Sequence, residues 1–84
     1  MKLPGEEYVS QGLIDLRAGK ETISALLVAI GAPRLRQLGL DVPPHDLTSP
    51  EHRLYLKLAA EDSDSAHSRY NALIRRLVSF ERAY

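Results

Sequence analysis

Residues 67–84 read HSRYNALIRRLVSFERAY, and the spacing of their apolar side chains predicts an amphipathic helix. These apolar side chains form one stripe, which begins at Ala66, just before the quoted stretch, and has a member at every third or fourth residue. Its members are Ala66, Tyr70, Leu73, Leu77, Phe80 and Tyr84. Ile74 and Val78 widen the stripe on one flank. At about 100° per residue the apolar sector covers nearly half of the circumference, so packing against a core is the main role predicted for this helix.

Four arginines lie on the rest of this predicted helix. Arg75 and Arg82 share the face opposite the stripe, whereas Arg69 and Arg76 flank the stripe on its other side. Such a distribution is typical of a solvated face that keeps a small protein soluble. The alternative is a helix whose arginines contact phosphates or another anion, a use to which the planar guanidinium group is well suited.

The overall charge argues against a strongly basic module. Lys plus Arg is 11 and Asp plus Glu is 11, so the formal net charge is zero, whereas nucleic-acid modules usually carry a basic excess. Any excess here is local: residues 65–84 hold the four arginines against Glu81 alone. Three acids, Glu61, Asp62 and Asp64, come just before them.

Length and composition limit the remaining possibilities. A chain of 84 residues predicts one domain, residues 1–84. The absence of cysteine excludes disulfides and cysteine-type metal centres, and no cofactor is expected. The start, MKLPGEEYVS, is not typical of a secretory signal, and the most apolar run, ISALLVAIGA, is about half the length needed to span a bilayer. We therefore expect a cytoplasmic protein with no membrane partner.

The first part of the chain is predicted to be one long helix over residues 5–31. Its apolar positions recur at helical spacings and are Val9, Leu13, Leu16, Ile23, Leu27 and Ile30. A break at Gly19 into two helices is the alternative. Gly12 and Gly19 are seven residues apart, which favours a close helix crossing on one face, and Gly31 followed by Pro33 is typical of a helix end.

The middle of the chain predicts two further elements. PRLRQLG, residues 33–39, is expected to form a short helix closed by Gly39, and LDVPPHDLT, residues 40–48, a connector stiffened by two prolines. Another helix is predicted to open with Ser49 as N-cap and Pro50 at its first position, and Ser63 or Asp64 to cap the last helix. The predicted fold is therefore all-α: a small helical bundle in which two long helices, the first and the last, are joined by two short ones.

The core and the packing follow from this pattern. The side chains expected to be most buried are Leu13, Leu16, Ile23, Leu27, Leu73 and Leu77. The first and last helices are expected to pack on each other. A second, small-residue face of the first helix is predicted to bind another copy or a protein partner; its members are Ile14, Ala18, Ala25 and Val28. The alternative is that the short helices cover this face.

Catalytic and metal sites are weakly indicated. No two of His45, His52 and His67 have the spacing of paired zinc ligands on one helix turn, so surface or capping roles are expected, although the three could still meet in space. His67 as a general acid–base group is conceivable. However, the chain has no nucleophile elbow, no glycine-rich phosphate loop and no paired carboxylates on an apolar face.

The function predicted from these observations is non-enzymatic. We expect a small protein–protein interaction or oligomerisation module, a homodimer or the binder of a protein partner, with Arg and Tyr near the last helix as anchors. The alternative is a small nucleic-acid-binding protein that uses the arginine face formed by Arg69, Arg75, Arg76 and Arg82.

Overall fold

The computed structural model describes residues 3–84. Residues 1 and 2, the first two of the stretch MKLPGEEYVS considered above as a secretory signal, lie outside the described residues. In this range the chain forms four helices, α1 (Glu6–Arg17), α2 (Ile23–Gln37), α3 (Pro50–Glu61) and α4 (Ala66–Ala83), and no strand. The all-α prediction is confirmed. The helices have 12, 15, 12 and 18 residues, so the last is the longest but the first is not one of the long ones. No helix between residues 3 and 84 is long and apolar enough to cross a membrane.

The prediction of one continuous helix over residues 5–31 is wrong, because the chain turns at Gly19. Gly19 has φ +73°, a left-handed conformation that ends a helix. Its N–H donates to the carbonyl of Leu16 and the N–H of Lys20 donates to that of Asp15, which is the Schellman pattern. The Thr22 hydroxyl then accepts from the Ala25 N–H, 3.1 Å away, and caps α2. The alternative, a break at Gly19, is therefore the correct one.

A buried carboxylate braces this joint between α1 and α2. Asp15, only 6% exposed, accepts hydrogen bonds from Thr22 Oγ1 at 2.6 Å and Gln11 Nε2 at 3.0 Å. These two bonds, with the charge of Lys20, lower the pKa of Asp15 despite the opposing effect of its burial. The ionised carboxylate thus holds the capping residue of α2 in place.

The predicted helix end at Gly31 and the separate helix over residues 33–39 are also wrong, because α2 runs through both Gly31 and Pro33. Gly31 serves packing instead: a Cβ there would lie 2.9 and 3.0 Å from the two Leu77 methyls. The helix ends where Gly39 was predicted to close it. Gly39 has φ +97°, its N–H donates to Arg36, and the next N–H, of Leu40, donates to Leu35.

The structure of the second half of the chain agrees more closely with the predictions from its local sequence signals. Pro50 opens α3 as predicted, although Ser49 has φ +47° and its side chain makes no capping bond. The proline-rich connector is irregular, and it buries Val42 in the core. Arg36 ties it to α2 by donating to the carbonyls of Val42 and Pro43 at 3.3–3.4 Å. The residue before α4 is Ser65 rather than the predicted Ser63 or Asp64, and its side chain makes no capping bond.

The core is centred on α2, which packs on each of the other three helices. Of the six side chains expected to be most buried, Leu16, Leu27, Leu73 and Leu77 are buried, whereas Leu13 and Ile23 are half-buried. Side chains other than these six complete the interior; the largest that are fully enclosed are Leu26, Leu35, Leu54 and Leu58. The packing of α1 directly on α4 is limited, so most of the surface facing α4 comes from α2 and α3.

Candidate functional site

The four predicted arginines of α4 are divided between two surfaces. Arg69 and Arg76 lie on the side of α4 that faces α1 and the beginning of α2. Arg75 and Arg82 lie on the opposite, exposed side. The seven-residue spacing within each pair explains why its members share a side. The arginines therefore do not form one continuous basic face.

The first surface is a groove between α1, α2 and α4, which we call the arginine groove. Its volume is about 390 Å³, and its walls are formed by Tyr8, Ile23, Ser24, Arg69, Ala72, Leu73 and Arg76. Ile23, Leu73 and the Tyr8 ring give it an apolar lining. Among residues 3–84, the walls contain two guanidinium groups and no carboxylate, so the groove combines positive charge with apolar surface.

Arg76 is held at one wall of the groove by α1. Its guanidinium carbon lies 5.8 Å from the centre of the Tyr8 ring, within the range of a cation–π contact. Its Nη1 is 3.4 Å from Glu7 Oε1 in an exposed ion pair. The backbone of Gly5, with φ +74°, lies so close to the Arg76 carbonyl oxygen that a Cβ would overlap it. The beginning of α1 is therefore fitted against α4 at this residue.

Arg69 is held from the other end of the groove. Its Nη1 lies 2.8 Å from Glu61 Oε1, at the end of α3. Both members of this pair are substantially exposed, as are those of the Arg76–Glu7 pair. Exposed ion pairs typically contribute about 0–1 kcal/mol to stability, so neither Glu holds its Arg firmly. The two guanidinium groups remain accessible to a competing anion.

The second surface is the outer face of α4, formed by Asn71, Ile74, Arg75, Val78 and Arg82. Val78 is 37% exposed and Ile74 is half-buried, so apolar surface runs along the helix beside the arginines. Within residues 3–84, neither Arg75 nor Arg82 makes an ion pair. This face therefore has charged and apolar groups that no other part of the described chain satisfies.

An aromatic contact extends this apolar surface onto α3. The rings of Tyr55 and Tyr70 meet edge to face, with centroids 6.0 Å apart and planes at 61°. Burial raises the pKa of the Tyr70 hydroxyl, and the charge of Glu51 adds to the effect. Tyr55 is partly exposed. The raised pKa keeps the Tyr70 hydroxyl neutral at physiological pH, and the two rings form an amphipathic contact surface.

The four residues of the predicted interaction face are not brought together on the surface. Ile14 is 58% exposed and Ala18 is exposed, whereas Ala25 and Val28 are completely buried in the core. The turn at Gly19 is the cause, because it redirects α2 and removes the helical register that linked the two pairs. Ile14 is thus an isolated exposed apolar side chain on α1, which is common on protein surfaces.

Two further arginines, Arg34 and Arg36, lie on α2 and away from both surfaces of α4. Arg36 is bound to the connector carbonyls, and Arg34 lies near Glu81, next to Gly31. Partial burial raises the pKa of Glu81, and the positive charge of Arg34 opposes this rise. Neither arginine extends the arginine groove, whose walls come from other residues.

The three histidines lie in separate places. His45 lines a 320 Å³ cavity beside the turn at Gly19, and His52 lines an open groove along α3. His67 Nε2 is 3.3 Å from Nδ2 of Asn71, which lies four residues later on the same side of α4. In the portion of the chain that is described, no group of three histidine or carboxylate side chains is arranged to hold a metal ion.

Sequence patterns identified one wall of the arginine groove and missed the other. The pairing of Arg69 with Arg76 follows from their spacing on α4. Tyr8 and Ser24 lie 61 and 45 residues before Arg69, on helices whose mutual arrangement depends on the turn at Gly19. No local motif marks either residue, so tertiary packing alone assigns them to the groove.

The chain matches no known protein family, no curated protein and no solved structure. A functional proposal for this chain therefore depends on the chemistry of the two surfaces of α4.

Proposed function

We propose that this chain is a small, non-enzymatic interaction module that self-associates through the outer face of α4. The observation that carries the proposal is the combination, on this face, of exposed apolar side chains with two arginines that make no ion pair within residues 3–84. Arg and Tyr side chains set in apolar surface are the groups most often found at the energetic centre of protein interfaces. Arg75, Arg82 and Tyr55 are the corresponding groups here.

The charge order along α4 supports a second copy of the chain as the partner. Acidic residues, Asp62 and Asp64, lie just before the helix, and Arg75 and Arg82 lie in its second half. We place the two-fold axis perpendicular to α4, so the α4 helices of the two copies run antiparallel and the acidic end of each lies beside the basic end of the other. Asp64 and Arg82 each lie nine residues from Leu73 along the chain. A two-fold axis that crosses α4 at the level of Leu73 therefore brings Asp64 of one copy opposite Arg82 of the other.

The zero net charge of the chain is consistent with this arrangement. Two identical copies with a strong net charge would repel each other, whereas a neutral chain with separated charges attracts itself in one relative orientation. At the centre of the proposed contact, Val78 and Ile74 of each copy are covered by the other copy. Exposed charge pairs fix the register and contribute little affinity, so the apolar centre supplies most of the binding.

A charge-swap experiment tests the proposal. Sedimentation velocity at 10–300 μM should show a monomer–dimer equilibrium for the wild type, and Val78→Glu should shift it to monomer because it introduces a carboxylate into the apolar centre. Arg82→Glu should weaken the dimer, and adding Asp64→Arg to Arg82→Glu should restore it. A compensating pair of this kind reports a direct contact between the two positions.

Ile14→Glu is the matched control for Val78→Glu. Both variants place a carboxylate at an exposed apolar position, and only Val78→Glu should reduce the dimer. A wild type that remains monomeric at 300 μM, or a dimer broken by Ile14→Glu and not by Val78→Glu, would contradict the proposed surface. Salt-sensitive binding of random DNA or RNA at low micromolar concentration, lost on changing Arg75 and Arg82 together, would instead favour the nucleic-acid alternative.

A further inference from the structure

We propose that the arginine groove binds a small anion with an apolar body, whose carboxylate or phosphate group is held by Arg69 and Arg76. This site is separate from the outer face of α4, and its ligand is a small molecule rather than a second copy of the chain. The proposal depends on the walls of the groove, its size and the weak partners of its two arginines.

The charge of the ligand follows from the walls. Within the described part of the chain, residues 3–84, the charged side chains that line the groove are Arg69 and Arg76, and both are cationic. Each guanidinium can donate two parallel hydrogen bonds to the oxygens of one carboxylate or phosphate group. The Ser24 hydroxyl lines the same groove and can supply a further donor.

The arginines can reach a ligand because their present partners hold them weakly. The ion pairs with Glu61 and Glu7 are both exposed, so each contributes little stability. The Arg76–Glu7 distance of 3.4 Å is also long for a strong charge-assisted hydrogen bond, whereas the Arg69–Glu61 distance of 2.8 Å is not. The single anionic group of the ligand takes the place of both carboxylates, and the two glutamates return to solvent. The Tyr8 ring keeps the Arg76 guanidinium at the wall when Glu7 is displaced, so less ordering is needed on binding.

The apolar body of the ligand follows from the rest of the lining. Ile23, Ala72, Leu73 and the Tyr8 ring contribute the uncharged surface of the groove. Its volume of about 390 Å³ falls in the range typical of small-molecule sites, about 300–1,000 Å³. Bare phosphate would leave this surface in contact with water, whereas an aromatic or short aliphatic group attached to the anion covers it.

The beginning of α2 contributes less to this site than the arginines do. Helix N-termini attract anions, and Ile23 and Ser24 belong to the first turn of α2. However, Asp15 already lies at this end of the helix, where it accepts from the Thr22 hydroxyl at 2.6 Å. The site therefore depends on Arg69 and Arg76, and their substitution should abolish it.

An NMR titration of the full chain tests the proposal. The probes are phenyl phosphate and benzoate, with phenol and inorganic phosphate as the two incomplete ligands. We expect saturable shifts of the Ser24, Ala72 and Leu73 amide signals with at least one of the complete probes, and at least tenfold weaker binding of each incomplete ligand. Which complete probe binds more tightly identifies the preferred acid group.

Two double variants on the same helix provide matched controls. Arg69→Gln with Arg76→Gln should weaken binding at least tenfold, whereas Arg75→Gln with Arg82→Gln should change it less than twofold. Val78→Glu, designed to disrupt self-association, should bind the probe like the wild type, so the two proposals can fail independently. Equal loss in both double variants, equal binding of inorganic phosphate, or shifts confined to residues outside the groove would overturn the proposal.

Discussion

At Gly12 the backbones of α1 and α2 come so close that only a hydrogen atom fits on the α-carbon. A Cβ added there would overlap the Ser24 carbonyl oxygen and a methyl group of Val28. Gly31 has a milder restriction, because the atoms that a Cβ would meet are the Leu77 methyls and a carboxylate oxygen of Glu81. Side-chain ends can move, whereas the backbone of a packed helix moves only with its neighbours.

We therefore predict that Gly12→Ala destabilises the fold more than Gly31→Ala. Overpacking typically costs about 1–3 kcal/mol, and this exceeds the roughly 1 kcal/mol that Ala gains over Gly in helix propensity. At Gly31 the two effects should nearly cancel. Urea denaturation, followed by circular dichroism, measures both changes. Equal free energies of unfolding for the two variants would show that the α1–α2 crossing can relax.

The glycines also show what a single sequence can and cannot tell. The seven-residue spacing of Gly12 and Gly19 predicted a close crossing at both, and this is correct for Gly12 alone. Gly19 has nothing within 4 Å of an added Cβ and is instead required for its φ of +73°. A glycine needed for its small size and one needed for a left-handed conformation look the same in the sequence, because both needs are set by packing or by backbone geometry.

At the scale of elements, the helix ends with strong local chemistry were predictable and those set by packing were not. Pro50 cannot donate a backbone hydrogen bond and suits the first turn of a helix, and α3 begins there. The pair Gly31 and Pro33 gives a similarly strong signal for a helix end, but the contacts of α2 with its neighbours keep the helix continuous. Tertiary packing commonly overrides local propensity in this way.

The joint between α1 and α2 has a testable pH dependence. The pKa of Asp15 is lowered in the folded chain, chiefly by the Thr22 hydroxyl and then by Gln11. A carboxyl group with a lowered folded-state pKa stabilises the fold above its unfolded pKa of about 4, and this contribution is lost as the pH falls through the folded-state value. Thr22→Ala removes both the main cause of the shift and the cap of α2.

Thr22→Ala should therefore cost about 0.5–2 kcal/mol at neutral pH, the usual range for loss of an N-cap. The difference in stability between the wild type and this variant should become smaller below about pH 4, because the wild type then loses the stabilisation from ionised Asp15. Ser65→Ala is the control: Ser65 also precedes a helix but makes no side-chain capping bond. Thermal melts of all three proteins between pH 2 and 7 measure their stabilities. A difference between the wild type and Thr22→Ala that stays constant down to pH 2 would contradict the assigned role of Asp15.

At the scale of the whole molecule, the helical class was predictable and the arrangement of helices was not. The apolar stripe of α4 was correctly predicted to face a core up to Phe80: Leu73, Leu77 and Phe80 are buried, whereas Tyr84, at the end of the stripe, is 54% exposed. The position of α2 at the centre follows from the turn at Gly19, which a single sequence leaves open. For the same reason the arginine side of the groove was predictable from α4, whereas the wall formed by α1 and α2 was not.

The dominance of packing between consecutive helices has a consequence for the route by which this chain folds. The most extensive contacts join α1 with α2, then α2 with α3, then α3 with α4, whereas α1 and α4 touch over a small area. Short loops close at low entropic cost, and helical domains dominated by local contacts fold on the microsecond-to-millisecond scale. We expect temperature-jump relaxation of this chain in that range, and relaxation slower than about 0.1 s would contradict it. The contact between Glu7 and Arg76, 69 residues apart, should form after the barrier, so removing it should accelerate unfolding and leave the folding rate nearly unchanged.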